Sequence, residues 1–448
     1  MLDQINDTNL YTVIAVIFYL LAFRNIWFII AEKMNAPAAI TWILVNISFP
    51  MIGVPLYFFL GQSKLKSYGK RMRRKVTSRH NPIVSEPSKN KIKVICSGQE
   101  AFAEIFSTIE SADTFILVQY YIFRTDSLGL KLIDLLIKKA RTGVQVFFLY
   151  DNLGSFGLIG KHGHRMKQAG IHVVRFLPFT LQFNLQINFR NHRKVILVDG
   201  STCFLGGMNV GEEYLSKNKH WRDTQLKIQG PACEAIMETF FDDWSFASTD
   251  KERQVLEPLM KVIPTETEGD CKLRVFSFGP GDQWDTGLLM FMDAIQSARK
   301  SITIATPYFI PDLILERCLD LCLVKNIEVN LIVPAQSDSY SVQLINQHYI
   351  KKIARKGANV YLYADGFMHQ KVLLIDESKA IIGTSNFDNR SIYLNFETSI
   401  LIEDSSVAKE VKTMLDEDLK KCRPLKDAES GTWNNFLGNI IRLASPIF

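Results

Sequence analysis

Two histidines of this chain open the same pattern. His192 is followed by Lys194 and Asp199, and His369 by Lys371 and Asp376, so both read H-x-K-x4-D. With eight histidines, and Lys and Asp each at about one position in fifteen, only about 0.04 such matches arise by chance. The agreement continues downstream: Gly206 and Asn209 stand 14 and 17 residues after His192, and Gly383 and Asn386 stand 14 and 17 after His369, in the segments GGMN and GTSN. Alternate residues of a strand share a face, so His and Lys at i and i+2 project together. A hairpin partner then brings the Gly-x-x-Asn alongside, the glycine allowing close approach of a substrate or a neighbouring backbone. Two half-sites placed face to face collect two imidazoles, two ammonium groups and two amides. A pair of ammonium groups suits one phosphodiester anion. One neutral imidazole can attack phosphorus, and the other, protonated, can protonate the leaving alkoxide. This chemistry needs no metal or other cofactor. Asp199 and Asp376 complete the catalytic motif as written, but each lies an odd number of residues from its His. The expectation for both is a structural role, closing the hairpin or pairing with a cation.

The elements that must position these groups also repeat. Thr114–Phe123 and Val144–Tyr150 read as buried strands, separated by a helix over Leu130–Thr142 that Gly143 stops, and Ile171–Phe176 reads as a further strand. The second half runs in the same order. It has helix Thr286–Lys300, strand Ser301–Phe309, helix Asp312–Lys325, strand Ile327–Pro334, helix Tyr340–Lys356 and strand Asn359–Ala364. Near-continuous apolar strands alternating with amphipathic helices imply an α/β fold with a mostly parallel sheet covered on both faces. The segment of low hydrophobicity at 249–270 is the expected linker, giving domains over 92–248 and 271–448.

Composition bounds the class. The 448 residues are 47% hydrophobic and 22% charged, which excludes a wholly disordered, collagen-like or disulfide-scaffold chain. Seven scattered cysteines without a CxxC suit a reducing compartment, and Cys318 and Cys322 read as small buried residues on one helix face. The net charge is +6, but residues 64–91 alone carry ten basic residues against Glu86. This basic linker follows residues 34–63, which contain no charged side chain. Those thirty residues are long enough to cross a bilayer, although Pro37, Pro50 and Pro55 predict a kinked or broken helix. Tyr11–Ala31 is also apolar, apart from Arg24 and Asn25. Residues 1–63 therefore read as a retained membrane anchor of two segments, about 10–31 and 36–60. The basic block places the catalytic part on the cytoplasmic face of the cell membrane, against anionic lipid rather than nucleic acid.

Paired HxKxxxxD motifs followed by GGMN and GTSNFDNRS resemble the phospholipase D superfamily, and within it the bacterial cardiolipin synthases. The likeness extends to Trp42-Ile-Leu, Phe49-Pro50-Met-Ile-Gly53, Gln119-Tyr-Tyr-Ile-Phe123, Tyr150-Asp151-Asn-Leu-Gly154-Ser155, Arg190-Asn191-His192-Arg193-Lys194, Thr306-Pro-Tyr-Phe-Ile-Pro311 and the Ser445-Pro446 tail. The resemblance implies two tandem phospholipase D-like α/β domains packed as a pseudo-dimer behind a hydrophobic helical anchor. It implies His192 as nucleophile and His369 as general acid/base, with Lys194, Lys371, Asn209 and Asn386 on the phosphate. It also implies an acidic residue after each motif that orients its His, here Asp223 and Glu397. Where the first repeat has Gly207-Met208 the second has Thr384-Ser385, so only the second offers hydroxyls, Ser385 among them, to the phosphate. The implied reaction joins two phosphatidylglycerol molecules into cardiolipin and releases glycerol. Two rival readings share these motifs: a membrane-anchored hydrolase that uses water as acceptor, and a lipid-binding module with a relic site. The oligomeric state is not legible.

Overall fold

The computed structural model describes residues 2–31, 36–61, 89–177, 188–216, 221–262 and 267–425. These form two compact units, one holding the N-terminal helices and one holding both repeats. Most of the basic linker and the Ser445-Pro446 tail lie outside the described residues.

In the N-terminal unit, helix Leu2–Ala31 contains a stretch, Leu10–Ala31, that is long and apolar enough to cross a membrane. The second apolar segment is broken into helices Ala36–Ser48 and Pro50–Leu60. The break falls at Phe49, which is non-helical and precedes Pro50, a residue suited to a helix start. At 13 and 11 residues neither piece is long enough alone to span the hydrocarbon core. The first and second helices are joined by a buried amide pair, Asn25 Nδ2 donating to Asn46 Oδ1 at 3.2 Å. Gly53 lets the third helix approach the second, since a Cβ there would stand 2.7 Å from the Val45 carbonyl oxygen.

Among the described residues, the unit holding both repeats has twenty strands. In the first repeat these are β1 (Lys91–Ile95), β2 (Phe115–Tyr120), β3 (Gln145–Asp151), β4 (His172–Phe176), β5 (Arg190–Asn191), β6 (Lys194–Val198), β7 (Thr202–Gly206), β8 (Trp221–Arg222) and β9 (Gln225–Gln229). The second repeat has β10 (Leu273–Phe278), β11 (Ser301–Ala305), β12 (Phe309–Ile310), β13 (Glu328–Pro334), β14 (Asn359–Tyr363) and β15 (Phe367–Met368). It continues with β16 (Val372–Ile375), β17 (Lys379–Gly383), β18 (Phe387–Asp388), β19 (Asn395–Ile402) and β20 (Cys422–Pro424). The first sheet has the order β1-β9-β7-β6-β2-β3-β4, and the second repeats it as β10-β19-β17-β16-β11-β13-β14 before adding β20.

The expected mostly parallel sheet is corrected to a mixed one. Along the two strand orders just given, only β2-β3-β4 and β11-β13-β14 are parallel. The half of each sheet that carries the motif is antiparallel. Strands buried on both faces have the same apolar run in either pairing. The helices appear where periodicity and caps put them. Helix Ser127–Arg141 starts at Asp126, whose side chain accepts from Gly129 N, and ends before Gly143 at φ +97°. It lays Leu132, Ile133 and Leu136 on β2 and β3. Within 249–270 the chain forms helix Asp250–Leu256, opened by a Thr249–Glu252 capping box, and a 3₁₀ turn over Glu257–Lys261. Cys318 and Cys322 are buried, unpaired thiols.

Two short parallel ladders cross between the repeats. β5 pairs with the start of β19, Arg190 opposite Asn395 and Asn191 opposite Phe396. β15 pairs with β8, Phe367 opposite Trp221 and Met368 opposite Arg222. Each ladder ends one residue before a motif histidine.

Candidate active site

Lys194 opens β6, and Lys371 directly precedes β16. Both are fully buried, and each ammonium group turns back to its own histidine's carbonyl, Lys194 Nζ donating to His192 O at 2.5 Å and Lys371 Nζ to His369 O. The crossing ladders decide what the imidazoles meet. His192 N donates to Phe396 O at 3.0 Å, which brings the next residue, Glu397, against the ring. His192 Nδ1 then donates to both carboxylate oxygens, at 2.9 and 3.0 Å. On the other side His369 N donates to Arg222 O at 2.7 Å, and His369 Nδ1 donates to Asp223 Oδ2, also at 2.7 Å. The expectation that each acid orients the histidine of its own repeat is corrected: the carboxylates are exchanged, because the segment before each His pairs with the other repeat's strand.

The two carboxylates are held differently. Asp223 occupies the space a side chain at Gly207 would fill, since a Cβ there would stand 2.0 Å from its Oδ1. At the matching place in the second repeat, Thr384 donates its hydroxyl to Glu397, which also accepts from Asn395 Nδ2 at 3.1 Å. The Gly-Met and Thr-Ser departures thus fit one carboxylate each. Gly206 and Gly383 are needed for close strand approach: a Cβ would stand 2.4 Å from Thr224 O in one case and 2.5 Å from Thr398 O in the other.

Asn209, Asn386 and Ser385 lie buried on the segments that follow β7 and β17. Asn209 Oδ1 accepts from Ile122 N at 3.2 Å. Asn386 Nδ2 donates to Asp388 at 3.1 Å, while its Oδ1 has no partner among the described residues. Ser385 Oγ donates to Asn386 O at 3.1 Å. The two motif aspartates do not join this cluster. Asp199 accepts the backbone N–H groups of Asp113, Thr114 and Phe115 at 2.8–2.9 Å, and Asp376 those of Arg299, Lys300 and Ser301 at 2.7–2.9 Å. Both sit in left-handed turns, at φ +49° and +50°. Their place in the catalytic set is therefore corrected to the hairpin ends, tying β6 and β16 to the entry of β2 and β11.

Several residues here were not singled out from sequence. Tyr121 stacks edge-on against His192, with ring centroids 4.9 Å apart, and lies 5.5 Å under Lys194 Nζ. The Tyr214 hydroxyl stands 3.4 Å from His369 Nδ1. Arg193 forms a buried ion pair with Asp243 and reaches across to Glu397 O at 3.2 Å and Thr398 Oγ1 at 2.9 Å. Arg222 pairs with Asp418 at 2.7 Å. Arg193 lies inside the motif, but no local pattern marks Asp243 as its partner or Asp418 as that of Arg222.

Burial, with Lys194, Lys371 and Arg390 nearby, holds His192 well below the usual histidine range. Burial and then Lys371 bring His369 down to about 4, against the opposing pull of Asp223. Burial also lowers Lys194 to about 7 and Lys371 to about 8, and raises Glu397 to about 7. A phosphodiester anion between the lysines opposes their shift, since a negative charge favours the ammonium form. A neutral imidazole whose Nδ1 is held by a carboxylate presents Nε2 as a nucleophile or proton carrier.

Two such half-sites, carried by two copies of one mixed-sheet fold, are the arrangement of a tandem phospholipase D-like phosphatidyltransferase. A family model described as cardiolipin synthase, PLD-like domain, matches residues 105–244 and 291–419. The chain is 34% identical to a probable cardiolipin synthase of Bacillus subtilis, covering 90% of this chain and 86% of that protein. It is 33% identical to the major cardiolipin synthase of the same bacterium, over 94% and 95%. In structure it is similar to a phosphatidylserine synthase of Haemophilus influenzae, with a TM-score of 0.66 at 16% identity over 85% of this chain and 100% of that one, which is a likeness of fold. The chain belongs to the cardiolipin synthase family of the phospholipase D superfamily.

Proposed function

We propose that the protein transfers a phosphatidyl group between two phosphatidylglycerol molecules through a phosphohistidine on His192. Lys194 and Lys371 hold the donor phosphodiester, with Asn209, Asn386 and Ser385 around it. His192 Nε2 attacks phosphorus, and the P–O bond to the glycerol headgroup breaks. His369, whose protonated form the bound phosphodiester anion and Asp223 favour, donates the proton that lets glycerol leave. A hydroxyl of the second lipid then gives its proton to His369 and attacks the phosphohistidine, which releases His192 and completes cardiolipin. The reaction exchanges one phosphodiester for another. No cofactor enters, because the lysines supply the charge that a cation would.

The observation that carries this reading is the pair of buried His–carboxylate contacts, each of which fixes a tautomer and leaves Nε2 for chemistry. The domains are read as 92–248 and 271–448, the N-terminal 1–63 as a membrane anchor of two segments, and the catalytic unit as cytoplasmic. The basic residues of 64–91 favour an anionic surface by about 1 kcal/mol each near it. The test is incubation of the purified protein with phosphatidylglycerol in detergent micelles and separation of the products. Cardiolipin and glycerol support the synthase, phosphatidic acid and glycerol the hydrolase, and no turnover the binding module.

A further inference from the structure

The two half-sites differ at Arg190, a buried charge. In β5 the side chains alternate: Asn191 Nδ2 donates to Asp243 at 2.7 Å on one side, so its neighbours Arg190 and His192 project the other way, where His192 meets Glu397. Arg190 therefore shares a face with His192 and Lys194. It is only 4% exposed. Its Nη1 donates to Phe189 O at 2.8 Å, and among the described residues no carboxylate lies within ion-pair distance of it. The nearby Asp151 already accepts the N–H groups of Leu153, Gly154 and Asn191. Asp151 offsets the charge of Arg190 without touching it, and a buried guanidinium gains more from an anion in direct contact. Opposite it in the ladder stands Asn395, whose amide donates toward Glu397 while its Oδ1 has no partner. In the second repeat the matching position holds Phe367, packed on Trp221 with ring centroids 4.9 Å apart. The site thus holds, on the His192 side, a further buried cation and an orphan acceptor besides the two lysines that match one phosphodiester.

We infer that Arg190, with Asn395 beside it, is the subsite for the second lipid, the guanidinium binding the acceptor's phosphodiester and Asn395 Oδ1 accepting from its glycerol hydroxyls. This rests on the synthase reading above. In phosphatidylglycerol the attacking hydroxyl is three carbons from the anion, so a cation that holds the phosphate beside His192 delivers that hydroxyl to the phosphohistidine. Water and small alcohols carry no such handle. Arg190 therefore selects the acceptor without touching the reacting atoms.

The experiment supplies phosphatidylglycerol in detergent micelles together with ethanol and measures cardiolipin and phosphatidylethanol from the same reaction. Phosphatidylethanol reports the shared first step and a folded site. Arg190→Gln is expected to lower the cardiolipin-to-phosphatidylethanol ratio about tenfold or more, the loss of a charge-assisted contact, and Arg190→Lys to fall between it and wild type. Parallel loss of both products at an unchanged ratio would overturn the inference and assign Arg190 to the donor or the fold. An unchanged ratio with neither product reduced would overturn it as well. Wild-type protein that forms phosphatidylethanol but no cardiolipin would overturn the synthase reading itself, and this subsite with it.

Discussion

His192 and Glu397 are 205 residues apart in sequence and 3.0 Å apart at their side chains, and they belong to different repeats. The reciprocal contact joins His369 to Asp223. Each half of the chain thus supplies one imidazole ring and the carboxylate that steadies the other half's ring.

Replacing Glu397 by Gln preserves shape but removes the charge that fixes the His192 tautomer. Turnover is expected to fall by about 10²–10⁴, the scale seen when a carboxylate partner of a catalytic His is made an amide. In Asp223→Asn the defect lies in proton transfer at His369. Acid-labile phosphate on the protein should be absent in His192→Ala and retained in Asp223→Asn. Phosphate trapped on His369 in wild type, with none on His192, would reverse the assignment.

The pH profile follows from the lysines. Their charged form is the one that binds phosphate, and in the free enzyme burial has brought them to about 7 and 8. Charge is present below those values and lost above them, so kcat/KM should decline as pH rises from about 7 to 9. The bound anion raises both, so the alkaline fall in kcat should lie at higher pH. His192, held low, stays neutral across this window. A flat kcat/KM up to pH 9 contradicts the assignment.

Asp199→Ala and Asp376→Ala each strip an acceptor from three backbone N–H groups. Each should cost about 1–3 kcal/mol of stability, seen as a lower melting temperature, with turnover retained well below it. Asp→Asn at these left-handed positions should be milder, because Asn tolerates that conformation and keeps an acceptor oxygen. Abolished turnover in a well-folded Asp199→Asn protein would return the residue to the chemistry.

Asp243→Ala leaves the buried Arg193 guanidinium without its carboxylate, for which about 3–5 kcal/mol of destabilisation is expected. Arg193 also bridges to the strand that carries Glu397. Denaturant melts of Asp243→Ala and of the double variant Arg193→Met/Asp243→Ala test this: the double variant should be the more stable of the two.

Deleting residues 1–63 should leave activity toward detergent-solubilised lipid while most activity on anionic vesicles is lost at physiological salt. Lowering the salt should restore part of it through the basic residues after position 63, since screening then reaches less effectively. Equal vesicle activity of full-length and truncated protein at both salt concentrations would make the anchor dispensable.

The chemistry was legible because it is written at period two. His192 and Lys194 share a strand face, and a second copy with the same offsets turns a common residue pair into a rare one. The helices were legible through caps such as Asp126 and stops such as Gly143. The hairpin after each motif was legible, but the other antiparallel pairings, β2 with β6 and β7 with β9, were hidden, because strands buried on both faces show the same apolar run in either pairing. The exchange of carboxylates was hidden too. Nothing local to Asp223 or Glu397 tells which ring it serves, since that depends on two-residue ladders between segments more than 140 positions apart. Of the apolar N-terminal segments, the break at Phe49 was announced by Pro50, and with it the loss of a second long helix.

The crossing ladders also impose an order in time. As the chain leaves the ribosome, the first repeat emerges with His192 and Lys194 but without β19, so its imidazole has no carboxylate partner and its half of the phosphate cradle stands alone. Domains generally fold as they are made, the N-terminal one first, yet here an early-folded first half holds His192 without the carboxylate that orients it. The contact that orients His192 forms only once Glu397, 205 residues further along the chain, has been added, so a first repeat that folds early waits for the second to complete its half-site.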